Sequence, residues 1–325
     1  MNNRITTGVK IAGTGSFRLA CSKLFGFFGT NLQNPPDDLL QCIIPDEGYI
    51  LIQIDQAGAE SKVVAYEADY GLYRKLVEAG IKHHIYIALQ IFVDKFRDKY
   101  PRDRYLNRTP EELKSLPEWK ELSQRIKNSK TEYYIGKVTN HARSYRMKWP
   151  TFRTFVLQET EGSLVLSAQE AKTFLNTWDR LFPEVVVWQE FIEIQLKRTR
   201  TLTNLFGFSR YFHEKMSDNL IREGISWIPQ STVACITHEA AIKATEYIEA
   251  SGKKWYLLNN KHDSLTFEVP KEELQEALGV LPQMMELNLV STKGAPFKMG
   301  VEVQVGYNWL KRSETNPEGL YDQSR

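Results

Sequence analysis

The spacing of apolar residues changes along this chain, and the changes mark its elements. "GYILIQID" (Gly48–Asp55) is nearly all apolar and ends in an acid, the pattern of a strand buried on both faces. Further on, "WYLL" (Trp255–Leu258) and "SLTFEVP" (Ser264–Pro270) are strand-like, and Leu265, Phe267 and Val269 alternate with Thr266 and Glu268. With Asn259-Asn260-Lys261 and His262-Asp263 between them, they predict a β-hairpin carrying Asp263 at its tip. "MGVEVQVGYNW" predicts a last strand. Helical spacing marks "AESKVVAYEAD", "HHIYIALQIF", "SKTEYYIGKVTNHARSYRM", "SAQEAKTFLNTWDRLF" and "KEELQEALGVLPQMMEL". "STVACITHEAAIKATEYIEAS", from Ser231, reads as a long helix stopped by Gly252. Ser167 followed by Glu170 is a capping box. Thr14 to about Ile54 predicts short strands and loops, and "TLTNLFGFSRYF" returns to β character. Residues 94–130 are charged and Pro-punctuated, which predicts a surface insertion with short helices. Strands gather at the two ends and helices in the middle, so one β platform formed by both ends, with a helical domain inserted, is expected.

Composition narrows the class. The chain has 325 residues, 42% hydrophobic and 25% charged, with no apolar run long enough to span a bilayer. "MNNRITTGVKIAG" has no apolar h-region. Cys21, Cys42 and Cys235 are scattered, which offers neither a disulfide framework nor a zinc spacing and suits a reducing compartment. The expectation is a cytoplasmic protein that makes no membrane contact. Net charge is only +2. "DKFRDKYPRDRYLNR" (Asp94–Arg108) holds six Lys/Arg diluted by three Asp, and "KRTRT" (Lys197–Thr201) is a second basic cluster. Such runs can meet phosphates or simply form a solvated face.

Two features carry candidate chemistry. Asp55 and Asp263 both stand at strand ends, a rigid place from which to hold a divalent cation, although Asp also favours turns for purely local reasons. Tyr133, Lys137, His141 and Tyr145 recur every fourth residue, so they form one row on a helix face. A lysine among rings suits a surface that holds phosphate and stacks on a base, or a helix edge with a snorkelling lysine. His84 lies in an otherwise apolar helix.

In order along the chain, these features resemble the polymerase domain of family A DNA polymerases, the bacterial DNA polymerase I type. "TGSFRLACS" resembles T-G-R-L-S-S, with Ser16 and Phe17 inserted and Arg18 as its arginine. "NLQNPP" resembles N-L-Q-N-I-P. "DQAGAESKVVAY" resembles D-Y-S-Q-I-E-L-R-V-L-A-H, which places Asp55 as a metal ligand and Glu60 as the steric gate. "HHIYIALQIF" resembles D-I-H-x-x-T-A-x-x-x-F, with His84 at the phosphate-contacting histidine. "KVTNHARSYRM" resembles K-A-I-N-F-G-L-I-Y-G-M, matching Lys137, Asn140, Tyr145 and Met147. "REGISWIPQST" resembles R-A-A-I-N-A-P-M-Q-G-T, matching Arg222, Gln230 and Thr232. "KHDSLTFEVP" resembles V-H-D-E-L-V-L-E-V, and "VEVQVGYNW" the closing strand.

The resemblance implies an α/β (α+β) right-hand polymerase fold. Its palm sheet would come from residues 1–65 and 211–325, with helical fingers at 66–210 and an insertion at about 94–130. It implies template-directed transfer of a nucleotide from a dNTP to a primer 3′-hydroxyl. Two Mg²⁺ ions, or Mn²⁺ in their place, would be held by Asp55, Asp263 and the Gln56 carbonyl. Lys137 and His84 would hold the triphosphate, with Tyr133, His141 and Tyr145 about the nucleotide. Arg18, Asn140, Arg222, Gln230 and His262 would face primer-template DNA. Departures stand beside the matches. Tyr133 replaces an arginine, so that triphosphate contact is lost or supplied elsewhere, by Lys130 or Arg143. His141 replaces an aromatic, and Ser264 an acid. His-Asp-Ser also occurs in single-subunit phage-type RNA polymerases, which makes such an enzyme one alternative. A catalytically silent DNA-binding or scaffolding subunit is another. No thumb or exonuclease pattern is recognised, which leaves a split polymerase completed by a second polypeptide that supplies both and docks near Asn2–Thr14, or a compact polymerase of low processivity. Compact, split polymerases suggest a phage-like or other small replicon by analogy.

Overall fold

The computed structural model describes residues 5–11, 13–22 and 31–323. Part of the expected docking edge at Asn2–Thr14 lies outside them. The strands in chain order are β1 (Gly8–Lys10), β2 (Ala20–Ser22), β3 (Tyr49–Gln56), β4 (Thr201–Thr203), β5 (Ser209–Tyr211), β6 (Tyr256–Lys261), β7 (Ser264–Pro270), β8 (Asn288–Val290), β9 (Pro296–Lys298), β10 (Val301–Gly306) and β11 (Tyr321–Asp322). The chain divides into two compact units. One comprises Met1–Glu60, Thr203–Phe208 and Trp227–Arg325; the other comprises Ser61–Leu202 and Ser209–Ser226.

The first unit is built on an antiparallel five-stranded sheet of order β11-β10-β3-β7-β6. β3 is central, and Leu51 and Ile52 are fully buried. Its apolar run, interrupted only at Gln53 before Asp55, reflects cover on both faces. Leu51 packs with Trp309 and Leu320 on one side, and Ile50, Ile52 and Ile54 lie on the other. The register places Asp55 opposite Ser264 on β7 and opposite Glu302 on β10.

The hairpin is tighter than the sequence suggests. Asn259, Asn260 and Lys261 continue β6, which leaves only His262 and Asp263 in the turn, with a bulge between Leu257 and Asn259. Asn259 tolerates a strand interior because its Nδ2 donates to the Leu32 carbonyl at 3.1 Å. His262 takes φ 49°, the left-handed backbone that a two-residue hairpin turn requires. Residues Asp37–Cys42 form a short helix within the stretch expected to be strands and loops.

The long helix also begins earlier than expected, at Asp218, and runs through Pro229 to Ser251. Proline costs a helix one hydrogen bond locally. Burial of Ile225, Trp227, Ile228, Val233 and Ile236 outweighs that cost.

In the second unit, the helices His83–Phe96 and Lys130–Ser144 pack together. Ile135, Val138, Phe152, Val156, Phe174 and Leu175 lie in one buried cluster. The capping box of Ser167 and Glu170 is present. The 94–130 segment has short helices as expected, but it is not merely a surface excursion, because Tyr105, Leu113 and Ile126 are buried. Its cations meet nearby acids: Arg104–Glu118 at 2.8 Å, Lys95–Glu132 at 2.5 Å, and Arg125 with Asp98. No helix among the described residues is long and apolar enough to cross a membrane.

Gly136 permits the close approach of the two packed helices. A Cβ there would lie 2.3 Å from the His84 carbonyl oxygen and 2.9 Å from the Ala88 Cβ. Gly136→Ala is therefore expected to cost about 2 kcal/mol by overpacking, seen as a lower urea midpoint. An unchanged midpoint would show that the helices can separate freely.

Candidate active site

Asp55 sits one residue before the end of β3, and Asp263 is the second residue of the β6–β7 turn. The two are joined through the backbone, since the Gln56 N–H donates to the Asp263 carbonyl at 2.9 Å. The Gln56 side chain is buried and turns into the long helix, donating to Thr237 Oγ1 at 2.6 Å and to the Val233 carbonyl at 3.2 Å. Thr237 Oγ1 also lies 3.0 Å from the His262 carbonyl. Strand end, hairpin tip and helix thus form one hydrogen-bonded joint that engages the Gln56 side-chain amide nitrogen, while its Oε1 is buried without a partner.

The electrostatics follow from this placement. The Asp55 carboxyl is pushed up to about 7, first by burial, then by the charge of Asp263 and that of Glu302; Lys311 and Lys261 oppose the shift. Two carboxyl groups at one partly dry site are uncomfortable without a cation. Among the described residues no set of three or more His, Cys, Asp or Glu could hold a metal ion. The donor set suits Mg²⁺, which binds through one or two carboxylates and completes its shell with water and substrate phosphates.

Arg18 and Glu60, expected at DNA and sugar respectively, form an ion pair with each other. Arg18 Nε is buried without a partner. His262 Nδ1 is likewise buried and unpartnered, and its pKa is lowered by burial and then by Arg18, against the pull of Asp263. The loop carrying Arg18 is fixed by contacts the sequence did not reveal. Trp227 Nε1 donates to the Gly15 carbonyl at 2.7 Å, and the Phe17 ring meets Phe208 and Trp227 edge-on at 5.7 and 6.0 Å. Gln33 Nε2 donates to the Leu19 carbonyl at 2.7 Å. The inserted Phe17 is therefore an anchor. Gln230 is partly exposed on the long helix.

In the second unit, Lys137 and His141 are exposed on the helix Lys130–Ser144, and Tyr133 is half-buried. Tyr145 stands just past the helix end, at φ −114° and ψ 24°, so the row of four is helical only through His141; the His141 and Tyr145 rings still meet edge-on at 5.2 Å. Tyr133 Oη and His84 Nε2 share a hydrogen bond of 2.9 Å. His84 is pushed down to about 4 by burial first and by the charges of Lys82, His83 and Lys137 after it, so it is neutral at pH 7.

Asn140 and Arg143, expected at ligands, are committed to partners inside the fold, whereas the bond that Arg222 makes is exposed. Asn140 is 8% exposed and its Oδ1 accepts from Trp178 Nε1 at 3.0 Å, which makes it an internal strut. Arg143 is bound to Asp179, with Nε at 2.7 Å, so it does not replace the missing arginine. Arg222 donates to Asn219 Oδ1. Arg146 stands where the family pattern has glycine and keeps a glycine-like φ of 58°.

A family model described as DNA polymerase family A matches residues 118–311, more than half of the chain, and the chain belongs to that family. Thermostable DNA polymerase I of Thermus filiformis is 29% identical over 46% of this chain and 18% of its own length. DNA polymerase I of Caldicellulosiruptor bescii is 23% identical over 95% of this chain and 32% of its own. Among solved structures, the POL domain of Pol1 from M. smegmatis, in complex with DNA primer-template and dNTP, aligns with a TM-score of 0.67 and 20% identity. The alignment covers 94% of this chain and 48% of that one, and it shows the shared mixed helix-and-sheet fold. The chain thus spans a third or less of these curated relatives.

The raised Asp55 pKa fixes a stability trend. An unfolded aspartate loses its proton near 4, whereas folded, metal-free Asp55 holds it to about 7. The folded state binds the extra proton between those values, so stability falls as pH rises through that window. In EDTA, Asp55→Asn is expected to melt higher than the parent at pH 8 and level with it at pH 4. A parent whose advantage grows with pH would contradict the burial account.

Proposed function

We propose that this chain carries out template-directed nucleotidyl transfer from a dNTP to a primer 3′-hydroxyl, with the first unit acting as palm and the second as fingers. The observation that supports this most strongly is the pairing of Asp55 and Asp263 across the strand-end joint, with the Asp55 carboxyl raised to about 7. Asp55, Asp263 and the Gln56 carbonyl would hold two Mg²⁺ ions, or Mn²⁺. Bound there, such ions supply activation of an attacking oxygen and stabilisation of a leaving one. The protein's own part is to keep the two carboxylates fixed. The Gln56–Thr237 joint does this without reorganisation during the reaction.

Lys137, exposed and cationic, offsets charge on the departing pyrophosphate. His84 serves as a neutral hydrogen-bonding group, oriented by Tyr133. His141 and Tyr145 flank the nucleotide. Glu60 crowds a ribose 2′-hydroxyl from the position in which Arg18 holds it. Arg18, His262, Gln230 and Arg222 face primer-template DNA.

Primer extension with Mg²⁺ tests this reading. Asp55→Ala and Asp263→Ala should each lower extension by at least about a thousandfold, the upper range for losing one electrostatic stabiliser of a transition state. Near-parental extension by either variant would remove the metal assignment. A parent that binds primer-template without extending it would favour a silent DNA-binding role. Competition between dNTP and rNTP separates the polymerase readings, since preference for rNTP would favour the RNA-polymerase-like alternative suggested by Ser264.

A further inference from the structure

The second unit holds a cavity of about 140 Å³ lined by Arg146, Lys148, Glu193, Asp218, Ile221 and Arg222. Its three cations outnumber its two carboxylates, and two of the cations are held by those acids. Arg146 pairs with Glu193, which also accepts from Lys197 Nζ at 2.6 Å, and Lys148 pairs with Asp218. Hydrogen bonds from these cations keep both carboxyls below the ordinary range. The Lys148–Asp218 pair is exposed, at 68% and 66% of the two side chains, so water and salt weaken it. Arg146 points its guanidinium here from a left-handed backbone, a conformation that glycine adopts far more readily.

We propose that this cavity seats one nucleic-acid backbone phosphate, and that Glu193 and Asp218 serve as exchangeable counter-ions for it. The inference rests on the reading of this chain as a binder of primer-template DNA. A phosphodiester offers Arg146 a charge-assisted, fork-shaped partner and meets Lys148 and Arg222 as well. The cavity has room for a phosphate group. With both acids ionised, the lining carries a net charge of +1, which one phosphodiester balances. When the phosphate enters, Glu193 loses Arg146 but keeps Lys197, and Asp218 loses Lys148; both carboxylates then repel it. They therefore lower affinity for DNA instead of supporting it, the opposite of what purely structural ion pairs would do.

Fluorescence anisotropy of a labelled primer-template, measured across a range of KCl, tests this. Arg146→Gln and Lys148→Gln should each flatten the slope of log K against log[KCl] by about one. Glu193→Gln and Asp218→Asn should tighten binding at low salt by about fivefold, the upper range for an exposed ion pair. Asp218→Asn guards against misfolding of the Glu193 variant, because its pair is the more exposed. Tripolyphosphate, matched for ionic strength with chloride, tests the source of the phosphate. If the seat holds a backbone phosphate, tripolyphosphate displaces DNA from the parent more readily than from Arg146→Gln; tripolyphosphate that binds the parent through Arg146 without weakening DNA binding would mean that the seat takes free polyphosphate, which overturns the backbone assignment. Unchanged slopes, or weaker binding by both acid-to-amide variants, in a parent that binds DNA would overturn this inference alone. A parent that binds no primer-template would overturn the functional reading together with it.

Discussion

Burial of the Asp55 carboxyl at the end of β3, with the charge of Asp263 beside it, is the constraint around which the first unit is organised. Carboxylates would relax apart if the backbone let them. Here β3 is central in the sheet and buried on both sides, and the turn is pinned by the Gln56 N–H and by Thr237. The apolar packing of Leu51 and Ile52 supplies the rigidity. Burial, with the charge of Asp263 after it, pushes the Asp55 carboxyl up to about 7. The loop bearing Arg18, anchored by Trp227 and Gln33, adds a positive group close enough to lower the pKa of His262.

The second unit meets its polar demands in a different way. His84 and Tyr133 satisfy each other, so an imidazole can stay neutral and oriented in an apolar helix. Asn140 and Trp178 do the same deeper in the core. Exposed cations are left on the open face of the helix Lys130–Ser144. Where the family pattern has an arginine the chain has Tyr133, and where it has a glycine the chain has Arg146. The chain's positive charge is thus placed differently from the family pattern.

Periodicity made much of this legible. β3, the hairpin with Asp263 at its tip and the capping box at Ser167 were all readable, because each depends on residues adjacent in sequence. Pro229 concealed the first turns of the long helix, since its local cost is overcome only by tertiary burial. Asn259 to Lys261 looked like loop because the Leu32 carbonyl that satisfies Asn259 lies far away in the chain. The Arg18–Glu60 pair and the Trp227–Gly15 bond join residues distant in sequence, and no pattern announces them. Motif matching singled out Asn140 but could not reveal that Trp178 occupies its side chain, and the suggestion of Arg143 for the missing arginine could not foresee Asp179.

The central claim is that buried Asp55 carries a proton which a divalent cation displaces. Calorimetric titration of Mn²⁺ at pH 6.5, in two buffers of different ionisation enthalpy, counts that proton directly. The account predicts release of most of one proton per chain at pH 6.5, none at pH 8.5, and none at either pH from Asp55→Asn. Mn²⁺ binding to the parent without pH-dependent release, or with release that survives in Asp55→Asn, would contradict it.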